Sequence, residues 1–162
     1  MKTWLTEHEI DYILHKHQAV FTVPEAKIHC GHIPGTHCKN LFLINKKTGD
    51  FYLVSFSHEK RLDLKHFRKL VGAPRIRFAG EEDLLDILGL TAGAVSPLGL
   101  INDKNSRTIF YVDIDLWNAV EICCHPNVNT ETLQLTGKNF RNIIKSTKNQ
   151  VEVIKLPYLD DT

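Results

Sequence analysis

Two apolar runs separated by a polar turn are the feature that most constrains how this chain can fold. The runs occupy residues 40–44 and 51–56, and the connection between them contains Gly49. Short runs of aromatic and branched apolar residues bounded by turn residues are typical of β-strands, and a connection this short joins antiparallel neighbours. The sequence therefore predicts an antiparallel β-hairpin, and the remaining elements have to be arranged around a sheet.

The segment at the N-terminus predicts a helix. Residues 6–9, Thr-Glu-His-Glu, have the capping-box pattern, in which a hydroxyl and a carboxylate satisfy the first free N–H groups of a helix. Apolar residues follow at helical spacing up to about His17. The expected apolar face of this first helix consists of Ile10, Ile13 and Leu14.

Other helices and strands are predicted on both sides of the hairpin. Residues 20–23 predict a short strand that Pro24 stops, and residues 25–36 predict a helical turn and a loop. Asp63 is placed to cap a helix that Gly72 ends. The remaining predicted elements are strand 75–78, helix 81–88, strands 108–114 and 120–124, helix 138–146 and strand 151–154.

Length and composition fit one domain with one core. The chain has 162 residues, of which 43% are hydrophobic and 24% are charged. A chain of this size buries about 69% of its unfolded surface when it folds as one unit. We therefore expect a single compact α/β domain over residues 1–162, with a mixed, mostly antiparallel sheet flanked by helices.

Charge and cysteine usage narrow the class of protein. The formal net charge is +1, so nucleic-acid binding would have to come from local basic patches. The N-terminal residues become acidic at Glu7 before an apolar segment develops, so we expect no signal peptide and four reduced cysteines. Because no uncharged stretch is long enough to cross a bilayer, we expect a soluble cytoplasmic protein with no membrane partner.

Two segments carry candidate binding groups. Lys39 lies at the entry to the first hairpin strand, where its ammonium can reach a phosphate or carbonyl oxygen in a cleft. An ordinary solvated lysine gives the same pattern. Residues 93–99 have glycines at both ends, and successive backbone N–H groups in such a loop can bind an oxyanion or a carbonyl. A simple turn is the alternative interpretation of this loop.

His125 and the cysteines offer two competing uses. His125 follows a predicted strand and could orient a substrate hydroxyl or move a proton, or it could simply be satisfied by loop carbonyls. The residue types also suit zinc, but no Cys-x-x-Cys pair occurs, and we expect no metal. The candidate zinc ligands are His29, Cys30, His32, His37, Cys38, Cys123, Cys124 and His125.

Two predicted helices carry basic residues on the side opposite their apolar faces. Basic stripes of this kind can follow an RNA backbone, although a solvated helix face looks the same. The first stripe consists of Arg61, Lys65, Arg68 and Lys69, and the second of Lys138, Arg141 and Lys145, with Lys148 beyond them.

Taken in order, these motifs resemble the stand-alone prolyl-tRNA editing proteins of the YbaK-like, prolyl-tRNA synthetase-associated domain family. Each motif is short, but their order and spacing together are specific, and the resemblance runs from the first helix to the last strand. The segments that carry it are residues 39–43, 61–65, 88–90 leading into 93–100, 125–127 and 129–130.

The resemblance implies a cytoplasmic hydrolase that removes a wrongly attached amino acid, typically alanine, from tRNA for proline. It implies tRNA as a partner, prolyl-tRNA synthetase as a candidate second partner, and no cofactor. Lys39 is similar to the family's essential lysine and Asn40 to the residue beside it, so these two are the predicted catalytic residues. The predicted substrate-binding residues are Gly93, Ala94, Val95, Ser96, Pro97, Gly99 and His125.

The residues are compatible with that chemistry. An aminoacyl ester is already reactive, so its hydrolysis needs a positioned water and a charge or dipole at the developing oxyanion, with no Ser-His-Asp set. A small pocket would admit alanine and exclude proline by size. Cys38 stands where many relatives are expected to have a small residue, which leaves the amino-acid preference open. A non-catalytic module that binds aminoacyl-tRNA or a synthetase is the alternative function.

Overall fold

The computed structural model describes residues 1–160, in which eight strands form one mixed sheet. Residues 161 and 162, which belong to the predicted domain, lie outside the described part of the chain. The strand order is β1-β7-β6-β2-β3-β5-β8, and β4 pairs with β2. The strands are β1 Ile13–Lys16, β2 Thr36–Asn45, β3 Phe51–Ser57, β4 Ile76–Phe78, β5 Thr108–Asp113, β6 Glu121–Cys124, β7 Glu131–Thr136 and β8 Val151–Ile154.

The predicted hairpin is confirmed as the β2/β3 pair, and β2 is the strand around which the sheet is built. β2 pairs antiparallel with β3 and β4 and parallel with β6, while β1/β7 and β6/β7 are antiparallel. The β3/β5 and β5/β8 pairs are parallel. The sheet is therefore mixed, with antiparallel pairs in the majority, as the sequence predicts.

Helices cover both faces of the sheet. The α-helices are α1 Lys2–Glu7, α2 Val23–Cys30, α3 Leu64–Leu70, α4 Glu81–Leu88, α5 Ile114–Trp117 and α6 Gly137–Ser146, and two 3₁₀ turns follow α4 at Ala92–Ala94 and Pro97–Asn102. The Asp63 side chain caps α3 by accepting from His66 N–H, and Gly89 ends α4 in the left-handed conformation at φ 66°. Within residues 1–160, the helices lack the length and apolar character needed to traverse a lipid bilayer.

Strand β3 is buried on both faces because it separates two cores. Phe51 and Leu53 belong to the larger core, formed with α1, α4 and α6, whereas Tyr52 and Val54 belong to a second core that includes Phe67 of α3. Side chains alternate between faces along a strand, so a strand with a core on each side has a continuous apolar sequence.

The N-terminal predictions are wrong in two places. The predicted first helix is displaced: α1 ends at Glu7, and Ile13–Lys16 form β1 in register with β7. Pairing with β7 therefore overrides the helical spacing of the apolar residues. The predicted strand at 20–23 is absent, because the Thr22 hydroxyl accepts from Glu25 N–H and starts α2, which continues to Cys30.

Candidate active site

A cavity of about 500 Å³ opens at the start of β2. Its walls come from the segment that leads into α2, the first part of β2, the loop after α4 and the residue that follows β6. Polar and apolar groups both contribute to the lining. The lining residues are Val20, Phe21, Thr22, Val23, Pro24, Ala26, Cys38, Lys39, Asn40, His58, Ala92, Gly93, Val95 and His125.

The cavity lies where β2 has a strand on one side alone. On the side opposite β3, β2 pairs with β6 as far as His37↔Cys123, and pairing resumes with β4 at Leu43↔Phe78. Within the described chain, residues 38–42 of β2 therefore lack a second strand neighbour. Three consecutive residues of one strand line the cavity because this open edge forms part of its wall.

The direction of the backbone groups along β2 follows from its antiparallel pairing with β3. His58 N–H donates to the His37 carbonyl and Asn45 N–H donates to the Asp50 carbonyl, so odd-numbered residues of β2 direct their backbone groups toward β3. The N–H and C=O of Asn40 consequently point toward the open edge. Within residues 1–160 no neighbouring strand uses the Asn40 N–H, which leaves it as a free donor at the edge of β2 that lines the cavity.

The structure places Lys39 in the cavity wall together with Gly93 and Val95. Its side chain is half-buried, and it makes no ion pair within residues 1–160. An ammonium in a partly enclosed site without a carboxylate partner is available to an incoming oxygen atom. The motifs predict one site for Lys39 and the glycine loop, and both contribute residues to the lining of this cavity.

Asn40 connects β2 to the glycine loop. Its side-chain amide donates to the Val95 carbonyl at 3.1 Å, and its side-chain oxygen accepts from the hydroxyl of Ser55 on β3. Ser55 is fully buried and lies between the apolar residues Val54 and Phe56 of β3. The Asn40 side chain therefore fixes the position of the glycine loop relative to β2 and β3.

The predicted loop residues divide into two groups. Gly93 and Val95 line the cavity, whereas Ala94, Ser96, Pro97 and Gly99 are buried behind its wall. The Ser96 hydroxyl donates to the His125 carbonyl at 2.7 Å and accepts from Leu98 N–H. Gly99 packs under Leu90, since an added Cβ would lie 2.6 Å from Leu90 Cδ1. These buried residues shape the loop and do not line the cavity.

His125 lies in the cavity wall as a neutral hydrogen-bond acceptor. Its Nδ1 lies 2.9 Å from the Glu131 carbonyl, and because a carbonyl can only accept, Nδ1 carries the proton. Burial lowers the pKa of His125, and the bond to the Glu131 carbonyl opposes part of that shift. The neutral ring therefore has a free lone pair on Nε2.

The thiols near the cavity are poor nucleophiles. Burial raises the pKa of Cys38 and of Cys124, and it raises the pKa of Cys123 to about 12. The Cys123 thiol donates to the Pro34 carbonyl, and a His37 ring nitrogen bonds the Ile33 carbonyl. Across residues 1–160 no three His, Cys, Asp or Glu side chains are grouped as metal ligands.

The basic stripes contain both exposed and engaged side chains. Arg68 Nε donates to the Ile76 carbonyl at 2.8 Å, and Arg141 Nη1 donates to the Trp117 carbonyl at 2.8 Å, so both guanidinium groups anchor the fold. The other predicted residues are exposed on the surface: Arg61, Lys65, Lys69, Lys138 and Lys145.

Sequence reasoning missed the wall formed by the segment before α2 and by His58. The Thr22-Val23-Pro24-Glu25 run is itself a capping box with proline in the first turn, a signal that marks a helix start. His58 stacks on His37 with ring centroids 5.1 Å apart, and burial lowers the pKa of His58. No local motif connects His58 to the cavity, since the hairpin register brings it there.

Comparison with known proteins identifies the family. A family model described as "Aminoacyl-tRNA editing domain" matches residues 17–143, which include every cavity-lining residue. The chain belongs to this aminoacyl-tRNA editing domain family. The matched segment starts after β1 and ends within α6, so it contains the hairpin, the glycine loop and His125.

Individual members of the editing family resemble the chain along most of its length. It is 34% identical over 153 residues to the prolyl-tRNA editing protein ProX of Acetoanaerobium sticklandii, covering 94% of this chain and 93% of that protein. It is 34% identical over 146 residues to prolyl-tRNA synthetase associated domain-containing protein 1 of Xenopus laevis, covering 86% of each. A solved structure described as a proposed trans-editing enzyme for prolyl-tRNA synthetase superposes with a TM-score of 0.66 at 28% identity, covering 90% of this chain and 86% of that one.

Proposed function

We propose that this protein is a trans-editing aminoacyl-tRNA deacylase that hydrolyses the ester of mischarged tRNA for proline, with alanyl-tRNA(Pro) as its substrate. The observation that carries the proposal is the position of Lys39: this lysine makes no ion pair within residues 1–160 and lines one cavity with Asn40 and Gly93, in a chain of the editing family. We place the activity in the cytoplasm, where aminoacyl-tRNA is used.

The chemistry needs few groups because the ester is already activated. A water oxygen attacks the ester carbonyl carbon, the bond from that carbon to the ribose oxygen breaks, and the products are the free amino acid and a tRNA with a free terminal hydroxyl. Negative charge develops on the carbonyl oxygen during attack. The Lys39 ammonium and the Asn40 backbone N–H are the donors that this chain offers to that charge.

His125 and the tRNA itself complete the proposed mechanism. The free Nε2 lone pair of His125 can accept a hydrogen bond from the substrate's ammonium or hydroxyl and so fix the ester in the cavity. In this mechanism the vicinal hydroxyl of the terminal ribose helps to activate the water. The proton removed from water finally resides on the ribose oxygen that leaves.

We propose that the loop wall of the cavity selects for a small amino acid. The predicted loop contributes Gly93 and Val95 to the wall, and Asn40 holds this loop against β2. A rigid wall excludes a bulkier side chain by steric clash, which is the physical basis of an editing sieve. Cognate prolyl-tRNA(Pro) should therefore be spared while alanyl-tRNA(Pro) is hydrolysed.

A deacylation panel tests reaction and specificity together. The protein is mixed with tRNA(Pro) carrying alanine, serine, cysteine or proline, and the rate of ester loss is compared with the rate of spontaneous hydrolysis. We expect rapid loss of alanine and no acceleration for proline. Lys39→Ala should abolish the acceleration but retain tRNA binding, whereas Lys46→Ala, at an exposed lysine in the hairpin turn, should behave as wild type.

Two outcomes of this panel would refute the proposal. If the wild type binds aminoacyl-tRNA but accelerates none of the four reactions, the protein is a binding module. If Lys39→Ala deacylates as fast as the wild type, the cavity at β2 is not the reactive site.

For the partner, we propose that the exposed lysines Lys65, Lys69, Lys138 and Lys145 contact the tRNA backbone. Each phosphate contact releases counterions, so its loss should reduce the salt dependence of tRNA affinity by roughly one unit of slope. Alanine substitution of each lysine, followed by binding measurements across salt concentrations, identifies which stripe is used. Binding to prolyl-tRNA synthetase is tested separately by titration with the purified enzyme.

A further inference from the structure

Phe21 is an exposed aromatic residue in the lining of the cavity. Its side chain lines the cavity, yet the residue is 69% exposed. Burying a phenylalanine side chain is worth about 1.5–3 kcal/mol, so the fold gains little of this energy at residue 21. The ring offers most of its apolar surface to whatever occupies the cavity mouth.

The backbone that carries Phe21 is held firmly. Val20 N–H donates to the Asn129 carbonyl, and the Asn129 side-chain amide donates back to the Val20 carbonyl at 3.2 Å. Phe21 N–H donates to the Glu25 carboxylate, which also accepts from the Thr22 hydroxyl in the α2 cap. An exposed ring on a fixed backbone is pre-organised to receive a partner.

The ring also lies directly on the glycine loop. A Cβ added at Gly93 would be 2.9 Å from Phe21 Cδ1 and 3.1 Å from Cε1, so the absence of a side chain at residue 93 leaves room for the ring. The aromatic surface therefore begins at the loop wall and extends outward from the cavity. A group attached to the ester, just outside the cavity, would meet it first.

We propose that Phe21 is the stacking platform for the adenine base at the 3′ end of the tRNA. This inference rests on the proposed function, because the ester to be cleaved is carried by the ribose of that adenosine. Bases stack on exposed aromatic rings in proteins that bind single-stranded nucleic-acid ends. With the base on Phe21, the ester is directed toward the cavity that contains Lys39 and Gly93.

The first test compares substrates with and without the base. Phe21→Ala should lower kcat/KM for alanyl-tRNA(Pro) by about 5- to 150-fold, mainly through KM. Phe21→Trp should retain the wild-type value, since its ring also stacks. Alanyl-tRNA(Pro) whose terminal ribose lacks its base keeps the ester and the vicinal hydroxyl, so its hydrolysis should be the same for Phe21→Ala and the wild type. Phe78→Ala is the matched control, because Phe78 is also an exposed phenylalanine, at 61%, but lies on β4 outside the cavity.

A second measurement detects stacking of the terminal base and does not require hydrolysis of the ester. Uncharged tRNA(Pro) with 2-aminopurine in place of the terminal adenine should lose fluorescence when it binds the wild type or Phe21→Trp, and keep it when it binds Phe21→Ala. This measurement separates the two proposals. If the wild type quenches 2-aminopurine but deacylates nothing, the proposed function fails and the platform stands.

Three results would overturn the platform. One is an unchanged kcat/KM for alanyl-tRNA(Pro) in Phe21→Ala. Another is an equal loss on alanyl-tRNA(Pro) with and without the terminal base, which would indicate that the ring acts on the fold of the site. The third is 2-aminopurine quenching by Phe21→Ala that equals quenching by the wild type.

Discussion

Replacing Asn40 with alanine should destabilise the protein as well as impair its site, because one side chain makes both connections described for it. The substitution removes the bond to the Val95 carbonyl and the bond from the Ser55 hydroxyl. Each net hydrogen bond is worth about 1 kcal/mol, and leaving a fully buried hydroxyl such as that of Ser55 without a partner adds about 1–2 kcal/mol. The expected loss in the free energy of unfolding is therefore about 3–4 kcal/mol.

A double-mutant cycle assigns this loss to the contact. Urea unfolding is measured for the wild type, Asn40→Ala, Ser55→Ala and the double variant. Because Ser55→Ala already removes both the Ser55–Asn40 hydrogen bond and the hydroxyl that would be orphaned, Asn40→Ala should cost about 2–3 kcal/mol less in that background. A coupling energy below about 0.5 kcal/mol would refute the assignment. Lys39→Ala should leave the unfolding free energy nearly unchanged, since Lys39 makes no ion pair within residues 1–160.

Three further predictions concern packing, protonation and thiol reactivity. Gly137→Ala should destabilise the protein by more than about 3 kcal/mol in urea unfolding, because the new Cβ would lie 2.0 Å from the Ala119 carbonyl oxygen. Gly80→Ala is the control and should cost less than about 1 kcal/mol, because a Cβ at residue 80 meets nothing within 4 Å. Equal costs would show that the close approach at Gly137 is relaxed elsewhere. Because burial lowers the pKa of His125, the unfolded chain binds a proton at this residue more readily than the folded chain. The contribution of His125 to the free energy of unfolding should therefore be fully present above about pH 6.5 and decrease as the pH falls through the lowered pKa. Between pH 8 and pH 5 the melting temperature should decrease less in His125→Asn than in the wild type, and parallel curves would contradict this. Because burial raises the pKa of Cys38, iodoacetamide at pH 7 should alkylate this thiol slowly and leave the deacylation rate unchanged over minutes. Mass spectrometry and activity assays measure the two effects, and rapid stoichiometric labelling would disprove the raised pKa.

The elements that the sequence predicts correctly are those whose signals are local. Residues 64–70 follow the Asp63 cap, a terminating glycine comes after both 64–70 and 81–88, and the structure has α3 and α4 there. The hairpin is equally local, since its two strands pair across a short turn. In each case, local preference and tertiary packing favour the same structure.

The sequence prediction fails for segments whose secondary structure depends on pairing with distant parts of the chain. Residues 13–16 have helical spacing of apolar residues, but they pair with β7, more than a hundred positions further along the chain. β7 itself was not predicted, so no pattern in the N-terminal segment could reveal its partner. Strand order is non-local for the same reason, and it could not be predicted at all.

The site shows the same division between local and distant information. Motifs predict Lys39, Asn40 and Gly93 as site residues, and the structure has all three in the lining of one cavity. The motif does not distinguish Gly93, which faces the cavity, from Ser96, which is fully buried behind it. No sequence motif marks Phe21 as a site residue, because its significance depends on contact with Gly93 and that contact exists only in the folded chain.

The position of the site follows from how β6 ends. A continued parallel ladder would offer the His125 carbonyl to the Asn40 N–H, because β2 and β6 are in register as far as His37↔Cys123. That carbonyl instead accepts from the Ser96 hydroxyl at 2.7 Å, and Pro126, next along the chain, has no N–H with which to extend a strand. The Asn40 N–H is left without a strand partner at the edge of the cavity. In the proposed mechanism this N–H is a donor to the developing oxyanion, so any substitution that restores the ladder at this point should close the site and abolish deacylation.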